Sequence, residues 1–131
     1  MITESRPWGH FERFTLNEKC TVKLIYVKSN KRLSLQYHNK RNEFWKVVKG
    51  PVKLQIGNNS NGYDDKKISS TSYSSSSTTK ILNTGDTITI PARTIHRLIG
   101  ITDSEAIILE ISTGEFDESD IVRLEDDYSR Q

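Results

Sequence analysis

The stretch Leu33-Ser34-Leu35-Gln36-Tyr37-His38 alternates apolar and polar residues along its length. Side chains on a β-strand point to opposite faces in turn, so this pattern predicts a strand with one apolar face. Gln36 and His38 then project together from the other face, opposite the leucines. The stretch therefore predicts a strand that points two metal-ligating side chains at one place.

Further strand-like stretches follow at short intervals on both sides of this one, separated by turn-forming residues. They are residues 22–27, 44–48, 52–56, 81–82, 87–90, 95–101 and 106–111. Gly50-Pro51 is a predicted turn, and residues 120–124 fit either a short helix or a final edge strand. These features predict an all-β domain.

A Ser/Thr-rich tract at residues 69–79 interrupts the strand pattern. Its composition offers too little apolar surface to offset the entropy of ordering. Residues 58–80 are therefore predicted to be a flexible insertion inside a single domain that spans residues 1–131.

The composition excludes several classes of function. The chain has 131 residues, with 19 basic and 17 acidic side chains and a formal net charge of +2. This balance argues against a nucleic-acid partner, and no apolar run is long enough for a membrane helix or reads as a signal peptide. The single cysteine, Cys20, leaves no internal disulfide. We expect a cytoplasmic protein.

One segment carries the chemistry. Residues 36–43 contain Gln36, His38 and Glu43, and Gly50, Gly85, Pro91 and His96 follow at the spacing of turns and strands. A lone histidine on a strand is usually structural, but two histidines, a carboxylate and an amide oxygen in this arrangement suit Zn, Mn, Fe, Co or Ni. One negative ligand would leave such an ion electrophilic.

These spacings resemble the two motifs of the cupins, small jelly-roll β-barrels that hold a metal inside the barrel. In the first motif Gln36 stands where a histidine is usual, followed by His38, Glu43 and Gly50. In the second, Gly85, Pro91 and His96 match, whereas Arg93 and Gly100 depart from the pattern. The resemblance implies a cupin-type jelly-roll barrel whose metal ligands are Gln36, His38, Glu43 and His96.

A narrower resemblance covers nearly the whole chain outside residues 58–80. Residues 6–9, 33–45, 90–97 and 120–130 look like the type II mannose-6-phosphate isomerases, which also form the C-terminal domain of bifunctional mannose-1-phosphate guanylyltransferases. The resemblance implies interconversion of mannose 6-phosphate and fructose 6-phosphate, in mannose and GDP-mannose metabolism. We expect no guanylyltransfer, because one barrel fills the 131 residues.

The catalytic and substrate-binding residues are open to more than one interpretation. Glu110 shares a predicted strand face with Ala106 and Ile108, so it is a candidate acid or base, or else an ion-paired structural carboxylate. Trp45 would line the sugar pocket, or belong to the core or a dimer interface. Candidate phosphate-binding cations are Arg41, Lys46, Arg97, Arg123 and Arg130, of which Arg41 and Arg130 are favoured and Arg97 is predicted opposite His96.

Two rival functions remain at this point. One is a cupin epimerase or ketoisomerase that acts on a nucleotide-linked sugar, and the other is a sugar-binding or regulatory cupin without catalysis. Exposed strand edges in such barrels are often covered by a second copy, which predicts a homodimer.

Overall fold

The chain folds into β-strands joined by turns. The computed structural model describes residues 1–59 and 77–128, and none of these residues lies in a helix. In chain order the strands are β1 (Ile2–Arg6), β2 (Gly9–Arg13), β3 (Thr21–Val27), β4 (Leu35–Tyr37), β5 (Arg41–Lys49), β6 (Val52–Asn59), β7 (Thr78–Leu82), β8 (Thr87–Ile90), β9 (Thr94–Ile99), β10 (Ala106–Gly114) and β11 (Val122–Glu125). The all-β prediction is confirmed. Within the described ranges, the structure contains no helix of the length and apolarity that crossing a membrane requires.

Two antiparallel sheets are built from β3 to β11. One has the order β3-β10-β5-β8 and the other β11-β4-β9-β6-β7. From β3 to β10 the chain crosses from one sheet to the other at every connection except the β6–β7 hairpin. This crossing pattern is that of a jelly roll.

The space between the sheets changes character along the strands. At one end it holds apolar side chains of both sheets, among them Val47, Leu54, Leu98 and Ile108. Towards the other end, the inward positions of the same strands become polar. The domain therefore has an apolar core that continues directly into a polar site.

A second, smaller apolar cluster lies on the β4 and β11 side of the molecule. Leu35, Tyr37 and Ile95 are fully buried there, with Val122 and Leu124 packed against them. Since Val122 and Leu124 alternate with Arg123 along β11, this packing turns Arg123 to the opposite face of the strand.

Residues 120–124, predicted as either a short helix or a final edge strand, contribute to the edge strand β11. The structure differs from the predicted elements in three places. The strand predicted at residues 33–38 is regular only at Leu35–Tyr37. Strands β6 and β7 extend into the predicted insertion from both sides, and residues 60–76, with most of the Ser/Thr tract, lie outside the described residues. The β1–β2 hairpin was not predicted, because its strands are largely exposed and bury no regular apolar face.

Candidate metal centre

The polar end of the interior is lined by neighbouring strands of both sheets. Glu43 projects inward from β5 two residues before buried Trp45, and His96 projects inward from β9 two residues before buried Leu98. Gln36 on β4 is the register partner of His96 on β9. The alternation that buries the core therefore also turns these polar side chains inward.

Three of the predicted ligands meet at one point. The ligand atoms of His38, Glu43 and His96 all lie within 4.8 Å of one another, and the three side chains are buried. His38 Nε2 lies 2.9 Å from Glu43 Oε1, and His96 Nε2 lies 3.8 Å from Glu43 Oε2. The carboxylate thus lies between the two imidazoles.

Both histidine rings are oriented by the backbone. His38 Nδ1 lies 2.7 Å from the carbonyl oxygen of Asp120, and His96 Nδ1 lies 2.8 Å from that of Thr94. A neutral ring that donates its Nδ1–H to a carbonyl leaves the lone pair on Nε2, which is the arrangement found in histidines that bind metals. Burial lowers the pKa of His96, so this ring stays neutral near pH 7.

Glu43 is held ionised although it is buried. Burial opposes its charge, but the contacts with His38, His96 and Arg41 together outweigh burial and lower the pKa of Glu43 to about 2. Trp45 Nε1 donates a hydrogen bond of 2.9 Å to Glu43 Oε2. Trp45 also packs edge-on against His96, with ring centroids 5.4 Å apart. Trp45 therefore belongs to the core and supports two ligands.

Gln36, the fourth predicted ligand, lies next to His96 as its register partner. Its side-chain nitrogen donates a hydrogen bond of 3.2 Å to the carbonyl oxygen of Ser34. This contact fixes which end of the amide faces the backbone and leaves the amide oxygen as the atom for a cation. Two neutral imidazole nitrogens, one carboxylate and one amide oxygen fit a divalent transition metal, so the residues present fit the group that the motif implies.

Arg41 lies beside this cluster with unused donors. Its Nη2 is 3.1 Å from His38 Nε2 and its Nε is 3.3 Å from Glu43 Oε1. The guanidinium also stacks on Phe116, 4.7 Å from the ring centroid. Within the described residues, buried Nε and Nη1 of Arg41 have no hydrogen-bond partner. A buried donor without a partner is costly, which favours a ligand oxygen at this position.

A cavity of about 540 Å³ adjoins the cluster, and Gln36, Arg41, Glu110 and Arg123 are among its lining residues. Glu110 is only 6% exposed and accepts a hydrogen bond of 3.1 Å from Ser112 Oγ. Burial, followed by the negative charge of Glu43, raises the pKa of Glu110. A buried carboxyl with a raised pKa, beside candidate ligands in a cavity, is typical of a functional site.

The structure places the other predicted cations differently. Lys46 lies on the outer face of β5 and is paired with Glu12 of the β1–β2 hairpin, so it does not reach the cavity. Arg97 is buried on the face opposite His96, where it donates to the Leu33 carbonyl and pairs with Glu125. These two positions therefore differ from the substrate-binding roles predicted for them, because strand alternation turns both away from the site. Arg130 lies outside the described residues.

One supporting residue was missed in the sequence. Both carboxylate oxygens of Asp120 accept backbone N–H groups, from Asn39 at 2.9 Å and Lys40 at 3.0 Å, while its carbonyl faces His38. Asp120 thus fixes the loop that carries His38, although the two residues are 82 positions apart in the sequence. No local pattern signals such a contact, since it depends on β11 returning beside β4.

The jelly roll and the enclosed His-Glu-His cluster together define a cupin. The protein CapF of Staphylococcus aureus, described as assembling capsular polysaccharide, has the same fold over 95% of this chain and 34% of its own, with a TM-score of 0.64 and 18% identity. An oxalate decarboxylase of Bacillus subtilis, whose description names Mn(II) centres, matches 82% of this chain and 24% of its own, with a TM-score of 0.59 and 18% identity. Within the cupins, the chain belongs to the family described as "Mannose-6-phosphate isomerase C-terminal", which it matches over residues 2–73.

Curated relatives agree with this family. The sequence is 34% identical over 126 residues to the alginate biosynthesis protein AlgA of Pseudomonas aeruginosa, covering 95% of this chain and 22% of that protein. It is 32% identical over 126 residues to the mannose-1-phosphate guanylyltransferase ManC of Salmonella typhimurium, with the same two coverages. The chain thus spans about a fifth of the length of these relatives.

Proposed function

We propose that this domain is a metal-dependent isomerase that interconverts mannose 6-phosphate and fructose 6-phosphate. The observation that carries the proposal is the proximity of three groups in or beside one cavity. These groups are the His38-Glu43-His96 cluster that adjoins it, the buried carboxyl of Glu110, and the Arg41 donors that have no hydrogen-bond partner among the described residues. The family to which the chain belongs supplies the substrate class.

The metal ligands in this proposal are Gln36, His38, Glu43 and His96. A divalent ion held there would polarise the carbonyl oxygen and the neighbouring hydroxyl oxygen of the open-chain sugar. The Nδ1 contacts of the two histidines and the Trp45 contact of Glu43 hold the ligand side chains in place before the ion binds. The nitrogen and oxygen donors suit Zn, Mn, Fe, Co or Ni.

Glu110 is the proposed proton-transfer group. Converting an aldose into a ketose requires a base that takes a proton from C2 and an acid that returns one to C1. Ser112 occupies Glu110 Oε1, which leaves Oε2 for the substrate. Because burial raises its pKa, the carboxyl is closer to the balance between base and acid that both steps require.

Arg41 is the proposed partner of a sugar oxygen near the reacting carbons. It lines the cavity, and its position is fixed by Phe116 on one side and by Glu43 on the other. A guanidinium fixed in this way holds a developing negative charge on oxygen without first having to reorganise. The sugar would thus lie between Arg41 and Glu110.

The proposed product connects with what the relatives are named for. ManC is a mannose-1-phosphate guanylyltransferase and AlgA is an alginate biosynthesis protein. An isomerase that forms mannose 6-phosphate would supply mannose phosphates for activated sugars and polysaccharides. The homodimer and the cytoplasmic location stay predictions.

The test is a coupled assay of fructose 6-phosphate formation from mannose 6-phosphate. It compares the purified protein as obtained, after chelation, and after adding back each of the candidate divalent ions. We expect turnover that chelation abolishes and one or more ions restore. Glu110→Gln should lower kcat by at least a hundredfold with metal content unchanged, while exposed Glu105→Gln should leave kcat unchanged.

The same assay separates the rival functions. A metal-loaded, folded protein that binds mannose 6-phosphate without isomerising it would indicate a sugar-binding cupin. Turnover of a nucleotide-linked sugar in place of mannose 6-phosphate would indicate an epimerase or ketoisomerase. Either result would overturn the proposed activity.

A further inference from the structure

Basic side chains outnumber acidic ones among the residues that line the cavity. Six of its lining residues are basic, and two, Glu110 and Glu118, are acidic; the basic ones are Lys23, Lys28, Lys31, Arg32, Arg41 and Arg123. In a cavity with low-dielectric walls, an excess of one sign attracts ligands of the opposite sign. The ligand expected from this lining is an anion.

Half of these cations already have acidic partners. Lys23 Nζ lies 2.6 Å from Glu118, and Arg41 contacts Glu43. Arg32 donates two hydrogen bonds, of 2.7 and 2.8 Å, to the two carboxylate oxygens of Asp127. The pairings of Lys23 and Arg32 leave little of their charge to bind a further ligand, and Arg41 lies beside the metal cluster.

The other three lining cations have no acidic partner among the residues that the structure describes. Across residues 1–59 and 77–128, Lys28, Lys31 and Arg123 form no ion pair. Lys31 is near enough to help lower the pKa of Asp127, but Arg32 occupies both oxygens of that carboxylate. Three unpaired cations thus line one cavity.

The two lysines stand on a turn whose backbone is fixed. Lys31 N donates to Lys28 O at 3.1 Å, Asn30 N donates to Gly100 O at 3.1 Å, and Gly100 N donates to Lys31 O at 2.7 Å. A Cβ at position 100 would lie only 2.1 Å from Lys28 O. Gly100, which departs from the second motif, is therefore what allows this turn to pack so closely.

The turn and the metal cluster lie at different ends of the cavity. Gln36 lies at the cluster end of the cavity, and Arg32 lies next to the turn. The two residues are four positions apart in the sequence, which corresponds to about 13 Å of extended chain. Lys28 and Lys31 line the cavity from the turn. Arg123 is the register partner of Gln36, so its backbone lies at the cluster end, and its long side chain lines the same cavity.

We propose that Lys28, Lys31 and Arg123 form a subsite for the terminal phosphate of the sugar. The identity of the sugar rests on the proposed function. That the ligand carries an anionic group rests on the basic lining of the cavity alone. In this binding mode, C1 and C2 of the sugar lie at Glu110 and Arg41. The carbon chain of the sugar extends along the cavity, and the phosphate on C6 lies at the turn. Lysines bind phosphate as point charges, and Arg123 adds a planar pair of donors.

The test measures binding by calorimetry on the full chain, separately from turnover. The ligands are mannose 6-phosphate, unphosphorylated mannose and inorganic phosphate. The variants are Lys28→Ala/Lys31→Ala, Arg123→Ala, the conservative Lys28→Arg/Lys31→Arg, and the control Lys80→Ala. Lys80 is exposed on β7, at the edge of its sheet opposite to β11. Thermal unfolding checks that each variant is folded.

We expect the double alanine variant and Arg123→Ala each to weaken mannose 6-phosphate binding by about tenfold to a hundredfold, since charged hydrogen bonds are lost. Mannose binding and metal content should not change, and the double arginine variant should retain most of the affinity. Lys80→Ala should bind as the unmodified protein does.

Unchanged mannose 6-phosphate affinity in the folded double alanine and Arg123→Ala variants would overturn the subsite. So would a loss confined to inorganic phosphate, which would indicate an adventitious anion site. The two proposals fail separately. Lysine-dependent binding without turnover would remove only the isomerase, whereas turnover with an unchanged KM in these variants would remove only the subsite.

Discussion

Trp45 Nε1 lies 2.9 Å from Oε2 of Glu43, so a buried indole holds the carboxylate oxygen that does not face His38. The donor is supplied from the next inward position on the same strand, which makes it part of the core as well as of the site. The candidate ligand carboxylate is therefore positioned by packing.

Replacing Trp45 by Phe keeps an aromatic ring beside His96 but removes the donor to Glu43. We expect metal affinity to fall by about tenfold to a hundredfold, the usual effect of losing a contact that orients a ligand. Metal titration of the purified variant measures the change, and Trp8→Phe is the control because Trp8 is 73% exposed. Equal affinity in the two variants would contradict the role of the indole.

His38→Ala and His96→Ala should each remove bound metal and leave the apolar core intact, because the cluster lies beyond the core residues. The exposed His10→Ala is the control, and metal content with circular dichroism is the measurement. A folded His38→Ala or His96→Ala protein with stoichiometric metal and normal turnover would disprove the site.

The pH dependence of metal binding follows from the burial of His96. Burial lowers its pKa from the ordinary 6.5, so the ring remains neutral and able to bind at pH 6.5. Metal affinity should therefore hold down to that pH and fall below it, as protons compete for the imidazoles. Metal titrations between pH 5 and about 8 check this range. A loss complete at pH 7 would contradict it.

Asp120→Ala removes two acceptors from the loop that carries His38. We expect a loss of about 1–2 kcal/mol in the free energy of unfolding and weaker metal binding. Burial opposes the charge of Asp120, but the N–H groups of Asn39 and Lys40 lower its pKa below 3.8. The stabilisation is thus present above pH 3.8 and lost as the pH falls through the lower folded value.

Denaturant unfolding of the Asp120→Ala variant at several pH values measures that contribution. The difference in unfolding free energy from the unmodified protein should be constant near neutral pH and should shrink as the pH falls below 3.8. The control is Asp103→Ala, an exposed aspartate in a bend. A difference that grows as the pH falls would have the wrong sign.

Gly100→Ala tests the turn that carries Lys28 and Lys31. A Cβ would lie 2.1 Å from the Lys28 carbonyl oxygen, so the turn must move. We expect lower thermal stability and several-fold weaker binding of mannose 6-phosphate, with metal content unchanged. Calorimetry and metal analysis measure these effects, and Ser29→Ala in the same turn is the control. Unchanged sugar-phosphate binding would show that the position of the turn does not matter.

Much of the fold was visible in the sequence because most strands have one buried face. Strands lie at residues 22–27 and 106–111 as predicted, and alternate positions of each are turned towards the other sheet. The apolar side chains of Val22, Leu24 and Tyr26 lie on the other face of β3 and are exposed. The β1–β2 hairpin gave no such signal. Strand β4 was overestimated because its flanking residues are extended without forming a regular ladder.

The clustering of His38, Glu43 and His96 could be anticipated from the motif spacing and the resemblance that it carries, and Gln36 is the register partner of His96. Asp120 could not, because its contact with His38 depends on the return of the chain 82 residues later. Lys28 and Lys31 could not either. In the sequence they are ordinary surface lysines, and only the cavity shows which of the basic residues are left without an acidic partner.

Because Asp120 follows His38 by 82 residues, the parts of the site form in a fixed order during synthesis of the chain. His38 and Glu43 leave the ribosome long before His96, and Asp120 leaves later still. A nascent chain that ends before β11 has the candidate ligands but lacks the carbonyl that orients His38. The fully oriented cluster therefore forms only once translation has passed β11, so a metal bound there would be acquired late in the maturation of the protein.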